Sequence, residues 1–354
     1  AGASARLWPS DVRRGRTAIL YLATSTQFLF ASMTQHAWVA YLSFNLLWLY
    51  LVLRDDRLGL ASAPWVGVAT LGLQGPLPHA LFAAPFLLRV LRTRRVGWIA
   101  YYCAVYVIGA LTLHDWIPLA IADASPRRAL ELLAQAGAGR YVAAGLNLSL
   151  FLTWQAPAMA LFLVVAVIVV RSLKPAERDL MAGLVLTIAL YFLFPQNQGH
   201  GWGYRYAHSV LGNAVLLAAS ATVALAGQGT LVRRLVVVSA TAAIIVQLPL
   251  RSVQAERFVR PYAATLQYIA TRPADVVLVD PGSAYYGRDL IRNDPLFRTR
   301  PITLALPAIH PDDGRELLRR YPGRVYLLTV PEMQRLGLTT FGPGPGAPPR
   351  RATR

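Results

Sequence analysis

The sequence predicts an α-helical polytopic membrane protein of about nine spans, followed by a small C-terminal α/β extracytoplasmic domain. Three observations predict it. Of 354 residues, 55% are hydrophobic and 15% charged, with a mean hydropathy of +0.42. That is too apolar for a soluble chain of this size. The basic residues gather in short loops between apolar runs, which is the topology signal of a multi-span protein. After Leu250 the long apolar runs give way to short segments that alternate between strand-like and helix-like patterns.

The net charge of +18 would suggest nucleic acid as the partner of a soluble protein. Here the same charge orients loops at a membrane, so a nucleic-acid role is excluded. Lys174 is the only lysine. Arginine is also the better bidentate phosphate binder. The single cysteine, Cys103, lies in an apolar run, so no disulfide forms within the chain and no cysteine metal cluster is possible. The chain begins Ala-Gly-Ala-Ser-Ala-Arg, without Met or a signal-peptide pattern. The expectation is that it is the later part of a longer protein.

A spanning helix needs roughly 17–25 mostly apolar residues. The runs read as spans lie near 17–33, 37–53, 61–73, 77–91, 97–114, 149–170, 179–195, 206–227 and 232–250. The third and fourth are short, and Gly75, Pro76 and Pro78 separate them, as in a helical hairpin. The basic loops are Arg13/Arg14/Arg16, Arg54/Arg57, Arg89/Arg92/Arg94/Arg95, Arg171/Lys174/Arg178 and Arg233/Arg234. Nine spans place all of them on one side, which the positive-inside rule makes cytoplasmic.

The other side receives the turns at Gln35–His36 and at 74–79, the loops 114–148 and 196–208, and everything after Arg251. His36, His79, His114, His200 and His208 fall on this face. Any one of them is explained as an interfacial residue with an apolar body and a polar tip. Together they point to a polar cavity. Ser125, Pro126 and the amphipathic spacing to Gln135 predict a helix lying on the outer membrane surface.

The chain divides into three domains: 1–251 transmembrane, 252–341 α/β and 342–354 a disordered tail of glycine, proline and arginine. Within the second, helices are expected at 252–271, 285–293, 312–321 and 331–336, and strands at 274–280, 302–306 and 324–330, forming a parallel sheet. Asp280 ends a strand, with Asp289, Asn293 and Asp294 after it. Acidic residues there serve either catalysis or capping and turns.

Segment 195–208, Pro-Gln-Asn-Gln-Gly-His-Gly-Trp-Gly-Tyr-Arg-Tyr-Ala-His, is the densest chemistry in the chain. A plain connection between helices needs no such set. Its glycines do not make a dinucleotide fingerprint, because no strand–helix unit surrounds them. They suit a tight turn and close approach. Arg205 starts a span, where a charge is costly unless it is paired or faces a polar cavity. Its fork suits phosphate oxygens; snorkelling, or pairing with Asp115, is the alternative. Trp202, Tyr204 and Tyr206 suit sugar stacking or an interfacial aromatic belt. Gln196, His200 and His208 complete a polar set, with His36 and His79 on the same face. No cysteine cluster, HExxH, GxSxG or Walker pattern occurs.

Three stretches carry a resemblance: Ser32-Met-Thr-Gln-His36 with the span after it, Gly201-Trp-Gly-Tyr-Arg-Tyr206 leading into a span, and 280–294 in the domain after the last span. The chain resembles the later two-thirds of bacterial polytopic glycosyltransferases of the GT-C superfamily, relatives of protein mannosyltransferases and arabinosyltransferases. The resemblance implies transfer of a sugar from a polyprenyl-phosphate donor to a glycan or protein acceptor, at the outer face of the cytoplasmic membrane among its lipids. It implies that Arg205 contacts the carrier phosphate and that His200, Trp202 and Tyr204 shape the sugar pocket. In such families the base is a carboxylate of the first external loop. The turn at Gln35 and His36 has none, so the base is expected upstream, with Asp115 the acidic alternative. No cofactor is expected. Some relatives use a divalent metal, but the sequence offers no ligand cluster for one. Two other classes stay open: a transporter or flippase of a lipid-linked or anionic solute, and a non-catalytic membrane subunit.

Overall fold

The computed structural model describes residues 1–34, 37–74, 76–93, 96–113, 138–194, 202–227 and 229–341, and these are mostly helical with one small sheet. The chain divides into two units, Ala1–Pro249 and Leu250–Arg354.

In the first unit the helices are α1 (Gly2–Leu7), α2 (Val12–Ala23), α3 (Thr26–Ser32), α4 (Trp38–Arg54), α5 (Arg57–Gln74), α6 (Pro76–Thr93), α7 (Val96–Thr112), α8 (Ala138–Thr153), α9 (Pro157–Ile168), α10 (Pro175–Leu193), α11 (Leu211–Ala226) and α12 (Thr230–Ala242). A 3-10 turn, Arg205–Val210, leads into α11. A five-residue π segment, Ala243–Gln247, joins α12 to α13 (Leu248–Ala270). Among the described residues two helices are long and apolar enough to cross a membrane, Arg205–Ala226 and Thr230–Ala270. The count is up to three if the bent pair Tyr141–Thr153 and Pro157–Ile168 is one span.

Two of the predicted runs are not single helices. The run 17–33 breaks at Thr24, because the Ser25 hydroxyl accepts from the Phe28 N–H at 3.1 Å and starts α3 afresh. The run 149–170 bends by 115° between α8 and α9. Pro157 forces Ala156 into extended backbone and lacks the N–H that would continue the ladder. Neighbouring side chains satisfy the freed backbone groups, as an apolar surrounding demands. Ser239 accepts from the Ala158 N–H at 2.8 Å, Gln247 donates to the Thr153 carbonyl at 2.5 Å, and Thr26 donates to that of Trp154 at 2.7 Å. Gly75 lies outside the described residues; on either side of it α5 and α6 are separate helices of 18 residues each.

The basic segments gather at one end. Arg89, late in α6, pairs with Asp179, early in α10, at 3.1 Å. Arg14, early in α2, reaches Glu177, also early in α10, at 3.0 Å. The Arg6 guanidinium lies 5.9 Å from the ring centre of Tyr50, near the end of α4. Trp48, Tyr21, Tyr41, Phe82 and Phe86 are fully buried between the two ends.

The second unit carries three parallel strands, β1 (Val276–Val279), β2 (Ile302–Ala305) and β3 (Val325–Leu328), in the order β2-β1-β3. Its helices include α14 (Pro311–Arg320) and α15 (Val330–Arg335). Ile269, Val277, Val279, Leu328 and Met333 form its core. The helix expected at 285–293 is only a 3-10 turn, Gly287–Leu290. Tyr286 takes a left-handed φ of 49°, and the Asn293 amide pairs like a strand with Thr303, accepting from its N–H at 2.7 Å and donating to its carbonyl at 2.8 Å. Asp280 accepts from the Gly282 N–H at 2.9 Å and so closes the turn after β1.

Glu332 locks α15. It accepts from the Tyr268 hydroxyl at 2.7 Å, from the Thr329 N–H at 2.9 Å, from the Thr329 hydroxyl at 2.7 Å, and from Tyr326. Burial pushes its pKa up, but the hydroxyls and the amide outweigh burial and hold it at about 2, below the ordinary 4.5. A carboxyl lowered by folding adds stability above its unfolded pKa and loses it as pH falls through the folded one. The melting temperature of this unit is therefore expected to drop between pH 4.5 and about 2. In Glu332→Gln that slope should flatten, as followed by circular dichroism on the full chain; an unchanged slope would refute it.

Candidate functional site

The described part of the 195–208 segment starts at Trp202, so Gln196 and His200 lie outside the described residues, as do His36, His114 and Asp115. From Trp202 onward the segment is held by a side chain that carries no motif in the sequence. Gln27, at the start of α3, is fully buried. Its Nε2 donates to the Tyr204 carbonyl at 3.1 Å, and its Oε1 accepts from the Tyr204 N–H at 3.2 Å. The amide thus pairs with Tyr204 as a neighbouring strand would. Gln155 donates to Gln27 Oε1 at 3.2 Å, and Gln27 Nε2 lies 3.4 Å from His208 Nδ1. Gly203 permits this approach. Its φ is +76°, and a Cβ there would meet Gln27 Oε1 at 2.5 Å.

The clamp fixes the residues around it. Trp202 is half-buried against Phe30 at 5.8 Å and Trp154 at 6.2 Å. Arg205 and Tyr206 are half-buried, with the guanidinium 5.2 Å from the Tyr206 ring centre. Tyr206 packs on Trp38 and Tyr191, each at 5.6 Å. Tyr204 and His208 are buried; His208 stacks on Phe28. Trp202, Arg205 and Tyr206 are therefore partly open, while Tyr204 and His208 are buried as support.

His79 belongs to the support as well. It sits in the first turn of α6 and is 1% exposed. Its Nδ1 lies 2.9 Å from Asn45 Oδ1 and its Nε2 3.0 Å from the Tyr106 hydroxyl. Trp48 donates to that hydroxyl at 3.1 Å, and Asn45 donates to the Ser209 carbonyl at 3.1 Å. Because Asn45 Oδ1 only accepts, His79 carries its proton on Nδ1, and Nε2 accepts from Tyr106. The chain Trp48–Tyr106–His79–Asn45 ends on the backbone of the Arg205–Val210 turn. It fixes that turn from below.

Charge separates the two ends of the first unit. Its described carboxylates are Asp11, Asp55, Asp56, Glu177 and Asp179. Asp11 and Glu177 pair with Arg14, Asp56 with Arg54, and Asp179 with Arg89, all at the basic end. Among the described residues, Arg205 lies at an end without carboxylates, and no group of three or more His, Cys, Asp or Glu could hold a metal ion. A guanidinium beside an aromatic ring suits an anion borne on an apolar or cyclic body.

The residues missed in the sequence are Gln27, Asn45, Tyr106 and Gln155. The signal was there for three of them: an amide inside an apolar run must find a buried partner. Comparison of the chain with protein-family models, with curated proteins and with solved structures gives no match.

Proposed function

We propose that this chain is a glycosyltransferase of the bacterial cytoplasmic membrane, moving a sugar from a polyprenyl-phosphate donor to a glycan or protein acceptor on the outer face. In this reading the helices make nine crossings (α2 with α3, each of α4 to α7, α8 with α9, α10, the Arg205–Ala226 helix, and the helix from Thr230), which puts the basic loops inside. They put Arg205 and the C-terminal unit outside. The observation that carries the reading is the preset position of Arg205, on a turn clamped by Gln27 and with the Tyr206 ring beside its guanidinium.

The reaction is a direct displacement. The acceptor hydroxyl oxygen bonds to the anomeric carbon as the bond from that carbon to the phosphate oxygen breaks. The electron pair leaves with the polyprenyl phosphate, and a base removes the hydroxyl proton. Arg205 stabilises charge growing on the phosphate, which raises the rate only to the extent that its hold strengthens in the transition state. Asp115, in the 114–148 loop, is one of the acidic residues of the same face in this topology.

The test is transfer of labelled sugar from polyprenyl-phosphate donors in proteoliposomes. Arg205→Ala should lower kcat/KM about a hundredfold, with Arg205→Lys recovering part of it. A folded protein without transfer, or an Arg205→Ala variant with unchanged transfer, would overturn the reading. A second reading, transport of a lipid-linked solute, draws on the 115° break between α8 and α9, since broken helices at membrane depth mark transporter sites. Movement of the intact donor between leaflets without transfer would establish it instead.

A further inference from the structure

At the basic end, α6 and α10 part to leave an open cleft of about 700 Å³. Its rim carries Arg89, Arg92 and Arg178 with Asp179, and three arginines against one aspartate leave a net charge of +2. Its walls are apolar. Leu88 and Leu186, which line it, are 48% and 41% exposed. Arg89 is held toward Asp179 at 3.1 Å, with its guanidinium 5.6 Å from the ring centre of Phe86. Arg92 and Arg178 are exposed.

We propose that this cleft binds an anionic phospholipid of the surrounding bilayer. The charge complements a headgroup phosphate, which arginine engages through two parallel N–H donors. Leucines exposed just below a charged rim are favourable against acyl chains and unfavourable against water. A water-soluble anion would satisfy the rim and leave those walls bare; a neutral lipid would cover the walls and leave the rim charge uncompensated. Only a lipid that is both anionic and acylated answers both. Basic pockets between helices at the inner leaflet, where anionic lipids lie, are built this way. The site is at the end opposite Arg205 and does not rest on the transferase reading.

The experiment is native mass spectrometry of the full chain, delipidated in neutral detergent and titrated with phosphatidylglycerol or phosphatidylcholine. The first phosphatidylglycerol should bind about tenfold more tightly than phosphatidylcholine. Arg92→Gln/Arg178→Gln leaves the Arg89–Asp179 pair intact and should abolish that preference. Arg233→Gln/Arg234→Gln removes the same charge from another basic segment and should keep it. Equal binding of the two lipids would overturn the proposal. So would equal loss in both double variants, which would mean diffuse attraction to a basic face. Displacement of bound phosphatidylglycerol by inorganic phosphate would also overturn it, because a lipid held by chains and headgroup together does not yield to the free anion.

Discussion

Replacing Glu177 by Ala is expected to destabilise the first unit by about 3–5 kcal/mol, the cost of stripping one partner from a buried ion pair. The Glu177 side chain is 4% exposed and that of Arg14 18%. Its Oε1 accepts from Arg14 at 3.0 Å, from the Trp8 indole at 2.8 Å and from the Ser220 hydroxyl at 2.5 Å. Its Oε2 accepts from the Lys174 N–H at 2.8 Å, capping α10. One carboxylate therefore joins the α1–α2 connection to α10 and α11. Alanine leaves four donors without this acceptor, and Asp11, 3.3 Å from Arg14, can answer only one of them. The double variant Arg14→Leu/Glu177→Leu should recover more than half of the loss, because apolar replacement of a whole buried pair is often neutral. Denaturation in mild detergent, followed by tryptophan fluorescence with Trp8 inside the network, measures both. A single variant within about 1 kcal/mol of the parent would refute the argument.

Much of this architecture arises from local pattern, and the parts that do not share one cause. The long apolar runs mark the helices, and the short apolar runs at 276–279 and 325–328 mark strands. Each depends on neighbours a few residues away. The break in 149–170 was written in Pro157, yet it is tolerable only because Ser239, Gln247 and Thr26 come from distant segments to meet the freed backbone. The 285–293 helix failed for the same kind of reason, since Asn293 spends its amide on the edge of β2. At the site, segment 195–208 stood out by composition alone, but composition could not rank its members. Tyr204 and His208 carry hydrogen-bonding groups as Trp202 and Tyr206 do, and burial separates them. Gln27 meets Tyr204 across 177 residues, a pairing that no spacing rule reaches.

Gln27→Leu is expected to release the turn that presents Arg205 while leaving the helices in place. Leucine fills similar volume but offers neither donor nor acceptor, so the buried Tyr204 N–H and carbonyl both lose their partner, at about 1–3 kcal/mol each. That energy is better relieved by local opening of the turn than by global unfolding, because the His79–Asn45 contacts fix only its far end at Ser209. The consequence can be read without any substrate. In right-side-out proteoliposomes, trypsin should cut after Arg205 in Gln27→Leu at least tenfold faster than in the parent, in proportion to the open population. Gly203→Ala should show the same cleavage from the other side of the contact, since its Cβ would press on Gln27 Oε1 from a backbone at φ +76°. Agreement between the two variants would place the clamp, not either residue's bulk, in control of Arg205. Unchanged cleavage in both would mean that the aromatic packing of Trp202 and Tyr206 holds the turn without Gln27.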